Sequence, residues 1–246
     1  MSAVARPILV QCALNGGRTR DEHPAVPTTA AELARSAADA AAAGAASFHV
    51  HPRSDDGAES LRPADVAACV RAVRDVAPGV PVGTTTNVWG VEHGPERLEL
   101  VGSWEHAALP DFCSVNLSEH DALDLMALLL ERNVGIEAGV WSAQDAERLL
   151  DSGMAERCLR ILVEPVTEDA DEALRRVGEI EATLGDLPVP QLHHGDGPAT
   201  WVVIEAAVPK GRDVRIGLED TVRLPDGQAP RDNAELVAAA LEVVGG

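Results

Sequence analysis

The sequence predicts a single (β/α)8 barrel, a TIM barrel, over residues 1–246. Three observations predict it. Short apolar runs alternate with helical stretches eight times, the pattern of a parallel sheet covered by helices. No linker or low-complexity tract divides the chain. A length of 246 residues suits one such barrel and buries an ample core. A doubly wound open sheet has the same alternation and stays open as the structural alternative.

The apolar runs place strands near 8–13, 46–51, 80–84, 111–116, 134–138, 159–163, 189–193 and 214–217. Helices are read near 29–43, 63–76, 95–106, 120–131, 143–151, 168–184, 199–208 and 232–243. Thr28 and Thr29 with Glu32, and Asp232 with Glu235, signal helix starts, because a short polar side chain can accept from a free amide three residues on. Gly44 marks the end of the first helix. The alanine run at 37–46 is too short to span a bilayer. With two phenylalanines and no tyrosine, the core is expected to be Val, Leu, Ile and Ala.

The net charge of −20, with only 20 Lys and Arg, argues against a nucleic-acid partner and fits a role in solubility. An anionic substrate would need local arginines, and Arg53 and Arg215 are candidates. Cys12, Cys69, Cys113 and Cys158 stand apart with no CxxC pair, which gives a thiolate zinc site no support. Cys12 and Cys113 fall on predicted strands and read as buried thiols in a reducing, cytoplasmic compartment. The first twenty residues show no secretory signal, and no membrane segment is read.

Chemistry enters at Phe48-His49-Val50-His51-Pro52. Residues two apart on a strand point the same way, and Pro52 ends the run just past the pair. Both imidazoles therefore share one face at a strand mouth, half of a metal site. A His-x-His alone also fits two satisfied core histidines. The second motif is Arg215-Ile-Gly-Leu-Glu219-Asp220, at the end of the eighth strand. In a closed barrel the second and eighth strands flank the first, about 10 Å apart at ~4.8 Å per spacing. His49, His51 and Glu219 can then converge on one ion, leaving an open position as in catalytic zinc sites. Asn15-Gly16-Gly17 closes the intervening strand and leaves room above the ion. An open sheet would not bring these pieces together.

Other polar residues fall at the same predicted strand ends: Thr84, Thr85 and Thr86; Ser114 and Asn116 on one face; Glu137; Asp220. For each alone, turn chemistry or helix capping is the simpler explanation. His193-His194-Gly195 closes the seventh strand and is a further possible contributor, with a loop before the next helix the favoured reading, and Asp55-Asp56-Gly57 reads as a plain turn.

Taken together, Pro24-Ala-Val-Pro-Thr28, Ala43-Gly-Ala with His49-Val-His51-Pro-Arg53, Pro110-Asp-Phe with Ser114-Val-Asn116, and Arg215-Ile-Gly-Leu-Glu219-Asp220 resemble the β-keto acid cleavage enzymes. The segments span nearly the whole chain in the family's order. The resemblance implies a zinc-bearing barrel that condenses a β-keto acid with acetyl-CoA, giving acetoacetate and a new acyl-CoA. It implies zinc ligands at His49, His51 and Glu219, catalytic roles for Asp220 and Arg215, and substrate contacts at Thr85, Ser114, Asn116 and Glu137. It also implies a homo-oligomer, often a tetramer. One departure stands out. The family's founding activity has a glutamate just after the first strand that holds a substrate ammonium, whereas this chain has Arg18 at or near that place. A guanidinium repels an ammonium, so a β-keto acid with a neutral or anionic tail is expected. Two alternatives stay open: a metal-dependent aldolase working without CoA, and a non-catalytic metal- or ligand-binding barrel. A metal-dependent hydrolase with a bridging lysine has little support, because Lys210 is the only lysine and falls in a predicted loop.

Overall fold

In the computed structural model, which describes residues 6–88 and 91–246, local chemistry sets the element boundaries. Thr29 caps the first helix, its hydroxyl accepting from the Glu32 amide, and Gly44 ends it with a φ of 110°. Asp232 caps the last helix through the Glu235 amide. Pro63 opens the second helix at the position where a missing amide costs nothing.

The strands are β1 Val10–Ala13, β2 Ser47–Val50, β3 Val82–Thr84, β4 Phe112–Asn116, β5 Gly135–Val140, β6 Arg160–Val163, β7 Gln191–His193 and β8 Asp213–Ile216. The helices are α1 Ala30–Ala43, α2 Pro63–Val76, α3 Pro95–Gly102, α4 Ala122–Glu131, α5 Ala143–Asp151, α6 Ala170–Leu184, α7 Thr200–Ala207 and α8 Asn233–Gly245. All eight strands are parallel and pair in chain order, and β8 closes on β1. The closed barrel therefore holds and the open sheet does not. No helix among the described residues is long and apolar enough to cross a membrane.

Two expectations change. α3 stops at Gly102 rather than near 106, because the chain leaves the helix to bury Trp104. The Trp104 indole donates to the Leu61 carbonyl at 2.8 Å, and Arg132 donates to the carbonyls of Gly102 and Trp104. The aliphatic core is also not the barrel's whole filling. Phe48 and Val50 join the apolar core, while Ser47 and His49, alternating with them, take the other face of β2. A polar cluster is buried across the barrel: Gln11 donates to Glu137 at 2.6 Å, and Arg160 lies 3.3 Å from the same carboxylate and over the Phe112 ring. A side chain at Gly83 would meet that ring at 1.9 Å, so glycine is what admits Phe112. All four cysteines are free and buried, Cys12 and Cys113 as expected.

Candidate metal centre and reaction site

β2 and β8 position the site. His49 and His51 leave β2 on one side, and Asn15 fixes the end of that strand. Its amide accepts from the His51 N–H and donates to the His51 carbonyl, both at 2.9 Å. Glu219 arrives from the turn after β8, with Oε1 3.7 Å from His49 Nε2 and 3.5 Å from His51 Nε2. One ligand atom from each of the three lies within 4.8 Å of the others. Gly16 makes this approach available: with a φ of 55°, a Cβ there would stand 2.3 Å from the Glu219 Cγ.

The donor set fits a divalent ion. Two imidazoles and one carboxylate suit zinc with an open coordination position. Glu219 Oε2 is buried and has no hydrogen-bond partner, a lone-pair site that the protein itself leaves unfilled. His51 Nδ1 meets the Glu59 carboxylate, which fixes the ring with Nε2 toward Glu219. The two imidazoles are electrostatically distinct. Burial pushes His49 down to about 3. His51 is also penalised by burial, but Glu219 and Glu59 outweigh that and hold it up at about 9. Burial works to raise the Glu219 carboxyl, yet Arg215 and both imidazoles leave it well below the usual carboxylate range.

Beside this triad sits an ion-pair cluster. Arg215 Nη2 lies 2.6 Å from Glu219 Oε1 and 2.7 Å from Asp220 Oδ1, and its Nε donates to Asp220 at 3.1 Å. His194 Nδ1 stands 3.3 Å from Asp220 Oδ1, with its Nε2 3.5 Å from Glu164 Oε2. Trp141 donates to Glu164 at 3.2 Å. Burial opposes ionisation of Asp220, but Arg215 and His194 overcome it and hold the carboxyl below its ordinary value. Its Oδ2 is buried without a partner. A carboxylate kept ionised with one oxygen uncommitted can accept a proton at neutral pH.

The remaining sequence-predicted residues divide. Ser114 is buried in β4, and its hydroxyl has no hydrogen bond among the described residues. The Thr85 hydroxyl is occupied by the Asn87 amide and carbonyl, which is turn chemistry. The Asn116 amide donates to Glu119 at 2.9 Å. Glu137 does not close its strand. β5 runs on to Val140, and Glu137 lies inside the barrel with Gln11 and Arg160, its carboxyl pushed up by burial. Arg53 is no free anion receptor, since its guanidinium donates to the carbonyls of Gly16, Arg18 and Gly57. Arg18 donates to the Glu219 carbonyl at 3.0 Å and pairs with Glu22 at 3.0 Å, so its charge is spent within the protein.

His194 lies in the loop after β7, as read, yet it is 2 % exposed and packed between Asp220 and Glu164, which brings it into the site. Glu59, Asn15 and Glu164 were missed. The available signal for Glu59 was the Asp55-Asp56-Gly57 turn, which reverses the chain and pairs Arg53 with Glu59.

Burial and the Arg215 charge lower the His194 pKa, but Glu164 and Asp220 outweigh them and raise it to about 9, above the ordinary 6.5. A raised folded-state value means the stabilisation is complete below about 6.5 and is lost as the pH climbs through about 9. Urea unfolding of the wild type and His194→Gln should therefore differ by on the order of 1–3 kcal/mol at pH 6, with the gap closing by pH 9.5. A gap independent of pH would show that the imidazole is held neutral.

A (β/α)8 barrel whose strand ends gather two imidazoles, a carboxylate and an Arg–Asp pair defines an enzyme-type site open to carbonyl chemistry. The chain belongs to the β-keto acid cleavage enzyme family, whose profile matches residues 7–245, and is thus a C–C bond-cleaving enzyme. It is 27% identical to a 3-keto-5-aminohexanoate cleavage enzyme of Fusobacterium nucleatum subsp. nucleatum, covering 94% of this chain and 88% of that protein. It is 24% identical to a 3-dehydrocarnitine:acetyl-CoA trimethylamine transferase of Rhizobium meliloti, covering 97% and 91%. Among solved structures, the complex of ObcA with oxaloacetate superposes with a TM-score of 0.67 at 19% identity. That match covers 89% of this chain and 63% of the longer ObcA chain, and it speaks for the fold.

Proposed function

We propose that this protein cleaves a β-keto acid with acetyl-CoA as co-substrate, releasing acetoacetate and a new acyl-CoA, with a divalent metal at His49, His51 and Glu219. The single observation that carries the reading is the convergence of those three side chains within 4.8 Å beside Asp220 and Arg215. Family membership and the relatives' printed names, one ending in acetyl-CoA trimethylamine transferase, support the same reaction class.

When bound, zinc or a similar ion would supply Lewis-acid stabilisation of negative charge developing on the substrate's oxygens. The chain's own groups do the rest. Asp220 removes a proton from the carbon between the keto and carboxylate groups, taking it on Oδ2. Arg215 steers Asp220 and keeps it ionised through two hydrogen bonds. The resulting carbon nucleophile attacks the thioester carbonyl of acetyl-CoA. CoA then moves to the former keto carbon, the bond between that carbon and the former methylene carbon breaks, and Asp220 returns its proton to the enolate carbon, leaving acetoacetate and the new thioester. The Ser114 hydroxyl, with no protein hydrogen bond among the described residues, is the best-placed of Thr85, Ser114, Asn116 and Glu137 to donate to a substrate oxygen.

The test is a coupled assay with the metal-loaded enzyme and β-keto acids, with and without acetyl-CoA. Acetoacetate is expected only when acetyl-CoA is present, in step with consumption of the keto acid. Keto-acid cleavage at equal rates without it would mean an aldolase, and bound metal with no turnover would mean a binding protein.

A further inference from the structure

One cavity opens against the outer side of the metal triad, and its walls bear on the substrate's tail. It has a volume of about 430 Å³. His51 and its partner Glu59 form the wall nearest the triad, and Gly17, just past β1, forms a second. The loop after β3 supplies the far wall with Asn87, Val88, Val91 and His93. A β-keto acid held by its keto and carboxylate oxygens at the triad would send the rest of its chain past His51 into this space.

The charges around the cavity are already committed. Glu59 is spent on His51 Nδ1. Asn87 Oδ1 and His93 Nε2 face each other at 3.2 Å. No arginine or lysine among the described residues lines the space. Arg18 follows Gly17 in sequence but is tied to Glu22 and to the Glu219 carbonyl, outside the lining. Val88 and Val91 give the far wall an apolar face beside Asn87 and His93; Val88 belongs to the barrel's core and Val91 packs against it. A carboxylate tail would be desolvated here with no cation to meet it and with Glu59 nearby. An ammonium tail would find its one carboxylate already engaged. Transfer of an unpaired charge into such a space is strongly unfavourable, whereas an aliphatic chain gains from the burial.

We infer that the substrate is a β-keto acid with an uncharged, short aliphatic tail, which separates this chain from relatives named for 3-keto-5-aminohexanoate, 3-dehydrocarnitine and 3-oxoadipate. The inference rests on the reaction proposed above and narrows the tail expected from Arg18 alone, which left anionic acids open.

Three six-carbon β-keto acids test it with acetyl-CoA and the zinc-loaded enzyme, reading acetoacetate: 3-oxohexanoate, 3-oxoadipate and 3-keto-5-aminohexanoate. The expected kcat/KM for 3-oxohexanoate exceeds that for each charged acid at least tenfold. A charged acid turned over as well as or better than 3-oxohexanoate overturns the tail assignment while leaving the reaction intact. Acetoacetate from none of the three sinks the reaction itself. Val91→Arg places a cation in the wall and should shift the 3-oxoadipate to 3-oxohexanoate preference at least tenfold toward the diacid. An unchanged ratio in a variant with the wild-type Tm would mean that the tail lies elsewhere, and if the variant fails to fold, the wild-type panel decides alone.

Discussion

Asp220→Asn is expected to lower kcat by about 10²–10⁴-fold, the range that a positioned general base contributes. The substitution keeps the shape and can still accept from Arg215, so the ion-pair cluster loses one charge without losing volume. What it removes is the basic oxygen. In the wild type, burial works against the ionised form of Asp220, and Arg215 and His194, which face it, hold the carboxyl below its ordinary value. An amide cannot take the proton whatever surrounds it. KM for the keto acid should change little, since in the proposed reaction Asp220 acts on the reacting carbon. Metal content should match the wild type, because His49, His51 and Glu219 are untouched. Turnover within about threefold of wild type, at equal metal content, would remove Asp220 from the proton transfer and leave it as a partner for Arg215.

The sequence was legible where the chemistry is local. Thr29 with Glu32, Asp232 with Glu235, and Gly44 each announce a helix boundary within one turn of chain, and those boundaries fall within a residue or so of the expected places. His49 and His51 were readable from a period of two. Glu219 was readable only through closure, because the argument needs β8 beside β1. Apart from Glu59, eight residues from His51, the missed or discounted groups share a different property: their partners are far along the chain. Nothing local separates His194 from an ordinary polar residue at a strand end. Its meaning comes from Asp220 and Glu164, one at the end of β8 and the other just after β6. Gln11, Glu137 and Arg160 likewise meet across the barrel from three strands, and each alone looks misplaced in an apolar run. Arg18 shows the converse. Its charge was read from its place after β1, but the guanidinium is taken up by Glu22 and by the Glu219 carbonyl. Position in a sequence locates a group, and its available charge depends on the partners that reach it first.

Glu219→Gln should strip the metal from the purified protein to below about one tenth of the wild-type content and cut turnover by roughly 10²–10³-fold. A Lewis acid supplies several kcal/mol to charge stabilisation, and each 1.36 kcal/mol is tenfold in rate. The amide matches the carboxylate in size, so packing against Gly16 survives. Arg215 keeps Asp220 as an anionic partner at 2.7 Å, which protects the fold. The loss is therefore of one anionic ligand from a set of three, and of the buried Oε2 that lacks any protein partner. Glu59→Gln provides the graded comparison. It weakens the group that orients His51 but leaves all three donors, so a loss of 10–100-fold in metal affinity is expected, with activity restored by excess ion. Activity of Glu219→Gln should not return at any attainable zinc concentration. If Glu219→Gln kept full metal content and wild-type turnover, the triad would not be the metal site. If it kept the metal but lost turnover, Glu219 would act on the substrate itself, and His49 and His51 would need another third ligand.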